Sequence, residues 1–322
     1  MNNRPIVLVA DPLSPVALAR LGADVEVRHC DGTDRPALLA AAGSADVLLV
    51  RSATRVDAEV LDAAPRLRVI GRAGVGLDNV DVEHAALRGI AVVNAPTANV
   101  VSAAEMTCAL ILASARHLLP AGTALRQGRW ERARYTGVEL SGKTLGVIGL
   151  GRIGTLVAER MAAFGMGIVA HDPYLGGVSP AGVELLLLEE LLHRADVITV
   201  HLPRTTETIG LIGRAELAAM KPTALLVNVA RGGIVDEQAL HHALVSGQIA
   251  GAALDVYGEE PCTGSPLFEL DNVTPTPHLG ASTSEAQDRA GVTVVEAALQ
   301  ALFDQALFDR AADDQAADGL AA

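Results

Sequence analysis

Cysteine is scarce in this chain. Cys30, Cys108 and Cys262 are its three, widely spaced and without a C-x-x-C pair, which argues against both a disulfide framework and a zinc site and suits a reducing compartment. Positive charge is also in deficit. The 25 Lys+Arg against 38 Asp+Glu leave a net charge of −13, which repels nucleic-acid phosphates and anionic lipid, so neither nucleic acid nor a membrane is an expected partner. Long apolar runs are missing too: Met106 to Leu119 is the longest, is broken by Arg116 and His117, and falls short of the roughly 20 residues a bilayer span needs. The start, Met1-Asn2-Asn3-Arg4-Pro5, enters the strand-like Ile6-Val7-Leu8-Val9 without a signal-peptide core, so the cytoplasm is the expected location. No internal repeat of fixed period is present.

What the chain has in plenty is Val/Ile/Leu-rich runs alternating with Ala/Leu-rich helical patterns, the rhythm of parallel βαβ units. At 322 residues it exceeds the usual single domain. A first series of strands is predicted at Ile6 to Ala10, Val25 to His29, Val47 to Val50, Val69 to Gly71 and Ala91 to Asn94. A long helix over Asn99 to Leu119, capped by Asn99 or by a Ser102/Glu105 capping box, is expected to link to a second series. That series has six strands, Leu145 to Ile148, Gly167 to Ala170, Val197 to Val200, Leu225 to Val229, Gly251 to Leu254 and Val273 to Thr276. A last helix over Ser284 to Ala306 lacks a partner strand and is expected to cross back, while the acidic tail from Ala311 to Asp318 is expected to fray. The expected partition is a substrate domain of residues 1–98 and 287–322 and a dinucleotide-binding domain of residues 99–286.

Gly149-Leu150-Gly151-Arg152-Ile153-Gly154 follows a β-like run and opens a helix-like one. Glycines at 149, 151 and 154 allow a tight turn, close approach of backbone N–H groups to a pyrophosphate, and close helix–strand packing. Alone the triplet is a weak signal. It gains weight from Asp172, 18 residues past Gly154 at the next strand end, where a carboxylate accepts from a ribose 2′-OH and repels a 2′-phosphate; the expected cofactor is therefore NAD and not NADP.

Arg231, Glu260 and His278 then follow successive predicted strand ends. Oxidising a secondary alcohol beside a carboxylate needs a base for the hydroxyl proton and a cation for the carboxylate. His278 supplies the base, Glu260 beside it raises the imidazole pKa, and the Arg231 fork matches a carboxylate or carbonyl. Each residue alone reads more readily as a surface Arg, a solvated Glu or a locally satisfied His; three at successive strand ends read as a hydride-transfer site.

These motifs, with Val50-Arg51-Ser52-Ala53-Thr54, Gly71-Arg72-Ala73-Gly74-Val75-Gly76-Leu77-Asp78-Asn79-Val80-Asp81, Val93-Asn94-Ala95-Pro96-Thr97 and Ser102-Ala103-Ala104-Glu105, resemble the D-isomer-specific 2-hydroxyacid dehydrogenases over roughly residues 4 to 300. The resemblance implies an α/β fold of two Rossmann-like domains, a doubly wound parallel-sheet nucleotide domain inserted in a smaller flavodoxin-like substrate domain. It implies His278 as acid/base, Glu260 as its partner and Arg231 as anchor of the substrate carboxylate and carbonyl, with backbone amides of Gly74, Val75 and Gly76 helping to hold that carboxylate. It also implies that Asp255 orients the nicotinamide carboxamide, and that Arg152, Ile153, Leu202, Pro203, Val229, Ala230 and the turn at Gly280 line the cofactor site. Read locally, Asp255 is equally an ordinary strand-end Asp.

A phosphate needs charge-assisted donors, and Arg51, Ser52 and Arg72 at strand ends are the candidates, which favours a small phosphorylated hydroxy acid as substrate. An unphosphorylated acid, with hydroxypyruvate or glyoxylate as oxidised partner, is the alternative. An NAD-sensing, corepressor-like binding protein is a third reading, disfavoured by the intact trio. The segment Gln127 to Arg134 carries the only Trp and three Arg; by the resemblance it reaches a neighbouring subunit, placing Arg132 and Trp130 beside the partner's site in a homodimer or homotetramer, the alternative being a packed Trp in a basic loop. Two departures stand out: the stretch after Tyr174 is short for the usual strand-to-helix connection, and the chain stops where many relatives continue into an ACT-type domain, so feedback through such a domain is not expected.

Overall fold

The computed structural model describes residues 4–176 and 180–319, with side chains through residue 304. It divides into two compact units, one of residues up to Asn99 with those from Thr283 onward, the other Val100–Ser282.

The first unit holds five parallel strands, β1 (Ile6–Val9), β2 (Glu26–His29), β3 (Val47–Val50), β4 (Val69–Arg72) and β5 (Ala91–Asn94), in the order β2-β1-β3-β4-β5. That is the flavodoxin-like order. Both faces are covered, which is why the central strands read as continuous apolar runs. Val7, Val9, Leu49 and Val69 pack with Val294, Val295 and Ala298 of the helix Ser284–Gly319, while Leu8, Leu48, Val50 and Ile70 face Leu38 and Leu61 on the other side. Gly71 makes the first contact possible: a Cβ there would stand 2.6 Å from Leu49 and 2.7 Å from Val294. The last helix therefore does pack on the first sheet. Its backbone is helical through residues 311–318, a stretch rich in alanine, the strongest helix former.

The second unit holds β6 (Thr144–Ile148), β7 (Gly167–His171), β8 (Val183–Leu185), β9 (Val197–Val200), β10 (Leu225–Asn228), β11 (Gly251–Leu254) and β12 (Val273–Pro275), all parallel, in the order β12-β11-β10-β9-β6-β7-β8. Seven strands stand where six were expected. The missed β8 is three residues of an edge strand, Val-Glu-Leu, too short and too polar to show as an apolar run. It occupies the short connection noted after Tyr174. The strand order reverses between β6 and β9, the switch point at which such sheets bind ligands outside their carboxyl ends.

The single helix expected over Asn99 to Leu119 is two, Val100–Ala115 and Leu118–Arg126, bent by 64°. His117 makes the break with a left-handed φ of 52°. The first of these helices packs against the helix Arg152–Ala163 within the second unit. Ser102 lies inside it and is buried, so the expected capping box does not form, and the Asn99 side-chain oxygen is buried without a partner. Among the described residues no single helix is long and apolar enough to cross a membrane.

Candidate active site

The glycine turn sits at the carboxyl end of β6 and fits a dinucleotide. Gly149 adopts φ +90°, and a Cβ there would lie 2.6 Å from the His201 carbonyl oxygen and 2.8 Å from Leu202. A Cβ at Gly154 would lie 2.2 Å from the Gly149 carbonyl oxygen, so the helix Arg152–Ala163 starts hard against the turn. Gly151 faces open space, and no side chain caps that helix. Its first amides therefore present a positive dipole end outward, the arrangement a pyrophosphate needs.

Asp172, just past β7, accepts from Leu150 N at 2.9 Å with one oxygen and from Tyr174 N at 3.0 Å with the other. It ties the glycine turn to the next strand end. A carboxylate has about four acceptor sites, so capacity remains for ribose hydroxyls. Arg152 and Pro203 are exposed, Ile153, Leu202 and Ala230 half-buried and Val229 buried.

The parallel register sets the candidate trio side by side. Asn228 pairs with Leu254, and Leu254 with Pro275, so the loops after β10, β11 and β12 leave the sheet at one level, with strands about 4.8 Å apart. They carry Arg231, Glu260 and His278 respectively.

His278 Nδ1 and Glu260 Oε2 are 2.6 Å apart, with the two side chains 46% and 33% exposed. The imidazole is held above its ordinary pKa, chiefly by this hydrogen bond, against the opposing effect of burial. Burial pushes the Glu260 carboxyl up, but the His278 bond, the Tyr257 N–H at 2.9 Å and the charges of His278 and Arg231 outweigh it and hold Glu260 low. Arg231 lowers both groups and so lies within electrostatic reach of each.

Close packing holds Arg231 there. A Cβ on Gly232 would fall 1.6 Å from the Tyr257 carbonyl oxygen, so only glycine lets the Arg231 loop meet the Tyr257–Glu260 loop. Asn228 closes the Arg231 turn, donating to Arg231 O at 2.9 Å and accepting from Ala230 N at 3.0 Å.

Asp255 is 0% exposed. Its oxygens accept from Thr276 Oγ1, Leu279 N and Gly280 N, each at 2.7 Å. This carboxylate thus clamps the turn after His278. The clamp holds His278 at a left-handed φ of 54°, a conformation that costs a side-chain-bearing residue about 1 kcal/mol or more. Gly280 packs beneath, where a Cβ would lie 3.0 Å from Val229 and 3.2 Å from Asp255.

In the first unit, Arg51 and Ser52 follow β3, and Arg72 ends the neighbouring β4. Gly74 N–H donates to Arg72 O at 2.8 Å, where the chain turns sharply. Val75 and Gly76 carry the remaining candidate amides, with the Val75 carbonyl fixed by Asn94 Nδ2 at 2.6 Å. Arg132 lies in the short 3-10 turn Arg132–Tyr135 of the second unit and is exposed, as is Trp130 at 81%; Trp130 is therefore not a packed core residue. The neighbouring Arg134 pairs with Asp271 and anchors the segment.

Two supporting residues gave no signal in the sequence. Glu237, in the first turn of the helix Glu237–Val245, accepts from Gly258 N at 2.5 Å and so steadies the loop that carries Glu260. Tyr257 donates its hydroxyl toward Thr276 O at 2.9 Å and Leu254 O at 3.1 Å, bracing the strand end before His278. A Glu after an N-cap Asp and an aromatic after a strand are too common to mark a site.

Residues 108–280 match the family described as D-isomer specific 2-hydroxyacid dehydrogenase, NAD binding domain. A protein of Mycobacterium tuberculosis named D-3-phosphoglycerate dehydrogenase is 59% identical over 303 residues, 92% of this chain and 57% of its own length. The chain thus spans about 57% of the length of that curated relative. Among solved structures, the TT0316 protein from Thermus thermophilus aligns with a TM-score of 0.85 at 40% identity, over 93% of this chain and 97% of that one. D-lactate dehydrogenase from Aquifex aeolicus, complexed with NAD and lactic acid, aligns with a TM-score of 0.80 at 29% identity, over 94% and 96% of the two chains.

Proposed function

Because the chain belongs to the D-isomer-specific 2-hydroxyacid dehydrogenase family, with residues 108–280 matching its NAD-binding domain, we propose that it oxidises D-3-phosphoglycerate reversibly to 3-phosphohydroxypyruvate, the entry to serine biosynthesis. The observation that carries the reading is the 2.6 Å bond between His278 Nδ1 and Glu260, in a loop neighbouring that of Arg231. The choice of acid draws on the Mycobacterium tuberculosis relative's name and on Arg51 and Arg72 at neighbouring strand ends.

NAD, when bound, supplies the acceptor for the hydride that leaves the carbinol carbon. The Gly149–Gly154 turn and the amides of the helix it opens hold the pyrophosphate, and Asp172 the ribose. Asp255 acts on the nicotinamide side through the turn at Gly280.

The proton moves at His278. With Nδ1–H committed to Glu260, the neutral ring presents its lone pair at Nε2, which takes the hydroxyl proton as the C–H electron pair leaves. In the reverse direction the same nitrogen returns the proton to the carbonyl oxygen. Glu260 stabilises the imidazolium formed in between, and Arg231 holds the carboxylate and polarises the carbonyl. Arg51, Ser52 and Arg72 bind the phosphate, with Val75 and Gly76 assisting on the carboxylate. We place the enzyme in the cytoplasm as a homodimer or homotetramer, with Arg132 and Trp130 bordering the partner's site.

Side-by-side steady-state kinetics with NADH test the choice of acid. A higher kcat/KM for 3-phosphohydroxypyruvate than for hydroxypyruvate or glyoxylate is the expected outcome. The reverse order would assign the chain to the hydroxypyruvate and glyoxylate reductases, and NADH binding without turnover of any 2-oxo acid would make it a sensor.

A further inference from the structure

We infer that Asn79 is a positioning residue that joins the two arginine-bearing strand ends of the first unit into one preformed subsite, and so sets the preference for a phosphorylated over an unphosphorylated acid. The inference rests on the phosphate reading above and deepens it.

Val50 pairs with Arg72 across the parallel β3–β4 ladder, so Arg51 and Arg72 leave adjacent strands at nearly one level, about 5 Å apart at the backbone. Adjacency alone does not aim two long, rotamer-rich side chains at one anion; something must hold the loops and the guanidinium. Asn79 touches both. Its Nδ2 donates to Arg51 O at 2.7 Å and to Thr54 O at 2.6 Å, which fixes the turn carrying Arg51 and Ser52 at both ends. Its Oδ1 faces Arg72 Nε at 3.4 Å. Both donors and the acceptor of one carboxamide are thus divided between the two loops, and no other side chain of this size offers that combination.

The rest of the neighbourhood supports the same geometry. The buried Asp11 carboxylate accepts from Arg51 N at 2.5 Å, Thr54 N at 3.2 Å and Thr54 Oγ1 at 2.8 Å, locking the Arg51–Thr54 turn from below. Asn79 itself is held by its backbone, with its carbonyl accepting from Val56 N at 2.8 Å. The Arg72 guanidinium folds back over Gly74, where an added Cβ would fall 1.7 Å from Nη1. Gly74 is therefore needed as a bare surface on which that guanidinium lies.

Kinetics of the full chain with 3-phosphohydroxypyruvate and with hydroxypyruvate test this, alongside NADH affinity by fluorescence. For Asn79→Ala, KM for the phosphorylated acid rises about tenfold or more, while its kcat, KM for hydroxypyruvate and NADH affinity change less than about threefold. Asn79→Asp keeps the side-chain size and the oxygen facing Arg72 but loses both donors to Arg51 O and Thr54 O, and gives the same selective loss; it serves even if Asn79→Ala folds poorly. Variants that keep the wild-type ratio of the two KM values overturn the inference, as does a rise that is equal for both acids, which marks a merely structural role. A wild-type enzyme without preference for the phosphorylated acid overturns the phosphate reading and the inference with it, whereas a preferring wild type with unaffected variants overturns the inference alone.

Discussion

In the first sheet, the helices Arg35–Ala42, Ala58–Asp62 and Val82–Leu87 each start behind an aspartate, Asp34, Asp57 or Asp81, whose carboxylate accepts from an amide in the first helical turn. In the second, the helix after β6 starts behind Gly151 with no side chain at all. The contrast lies at this one helix start, since in the second unit too the helix Glu237–Val245 starts behind an aspartate, Asp236, which accepts from Gln238 N and Ala239 N. Where an aspartate occupies the helix start, an anion has to be met by side chains, for which Arg51 and Arg72 beside Asn79 are the candidates. Where the cap is missing, the backbone itself is the candidate anion site, and only glycine allows the close approach. The second unit pairs this candidate cradle with the bonded His278 and Glu260, and the first unit carries the candidates for recognition.

That division can be broken most sharply at His278. His278→Ala lowers kcat about 10²- to 10⁴-fold with either acid and in both directions, while NADH affinity stays within about twofold of wild type; turnover within about tenfold of wild type, measured by NADH absorbance, would place the acid/base elsewhere. Arg51→Ala has the next largest effect, raising KM for the phosphorylated acid about tenfold or more and leaving kcat largely intact. A fall in kcat without a change in KM would show that the first unit serves chemistry as well as recognition.

Glu260→Gln has a smaller effect on rate, about tenfold in kcat, and a clear one on pH dependence. Reduction needs the imidazolium, so its rate falls as pH rises through the elevated His278 pKa; oxidation needs the neutral ring and rises over the same range. Loss of the Glu260 carboxylate removes the main cause of the elevation, so both midpoints move to lower pH. A pH profile that keeps its midpoint would mean that Glu260 does not tune the ring.

Much of this was legible in the residues. Glycines at 149, 151 and 154, the acid at 172 and the trio at 231, 260 and 278 announce their chemistry through residue type and position after apolar runs. Less legible were features that depend on context. β8 is too short for periodicity to register, and the helix break falls at His117, three residues before Pro120, which stands in the first turn of the next helix and has no N–H to continue the ladder. Asp255 carried two readings from sequence, and only the structure shows it buried and accepting from three donors of the turn after His278. Asn79 stood inside a motif without showing which of its neighbours it holds.

The alternation of apolar runs with helical patterns, the bare backbone at glycines 149, 151 and 154 and the presence of a candidate acid, base and cation follow from the amino-acid sequence itself, because side-chain volume, backbone freedom and ionisation are properties of single residues. That His278 meets Glu260 across 18 positions, and that one carboxamide spans two loops, was decided only by tertiary structure. Such contacts depend on the register between strands and on how far each loop travels after leaving them, and a shift of one residue in either would separate the groups.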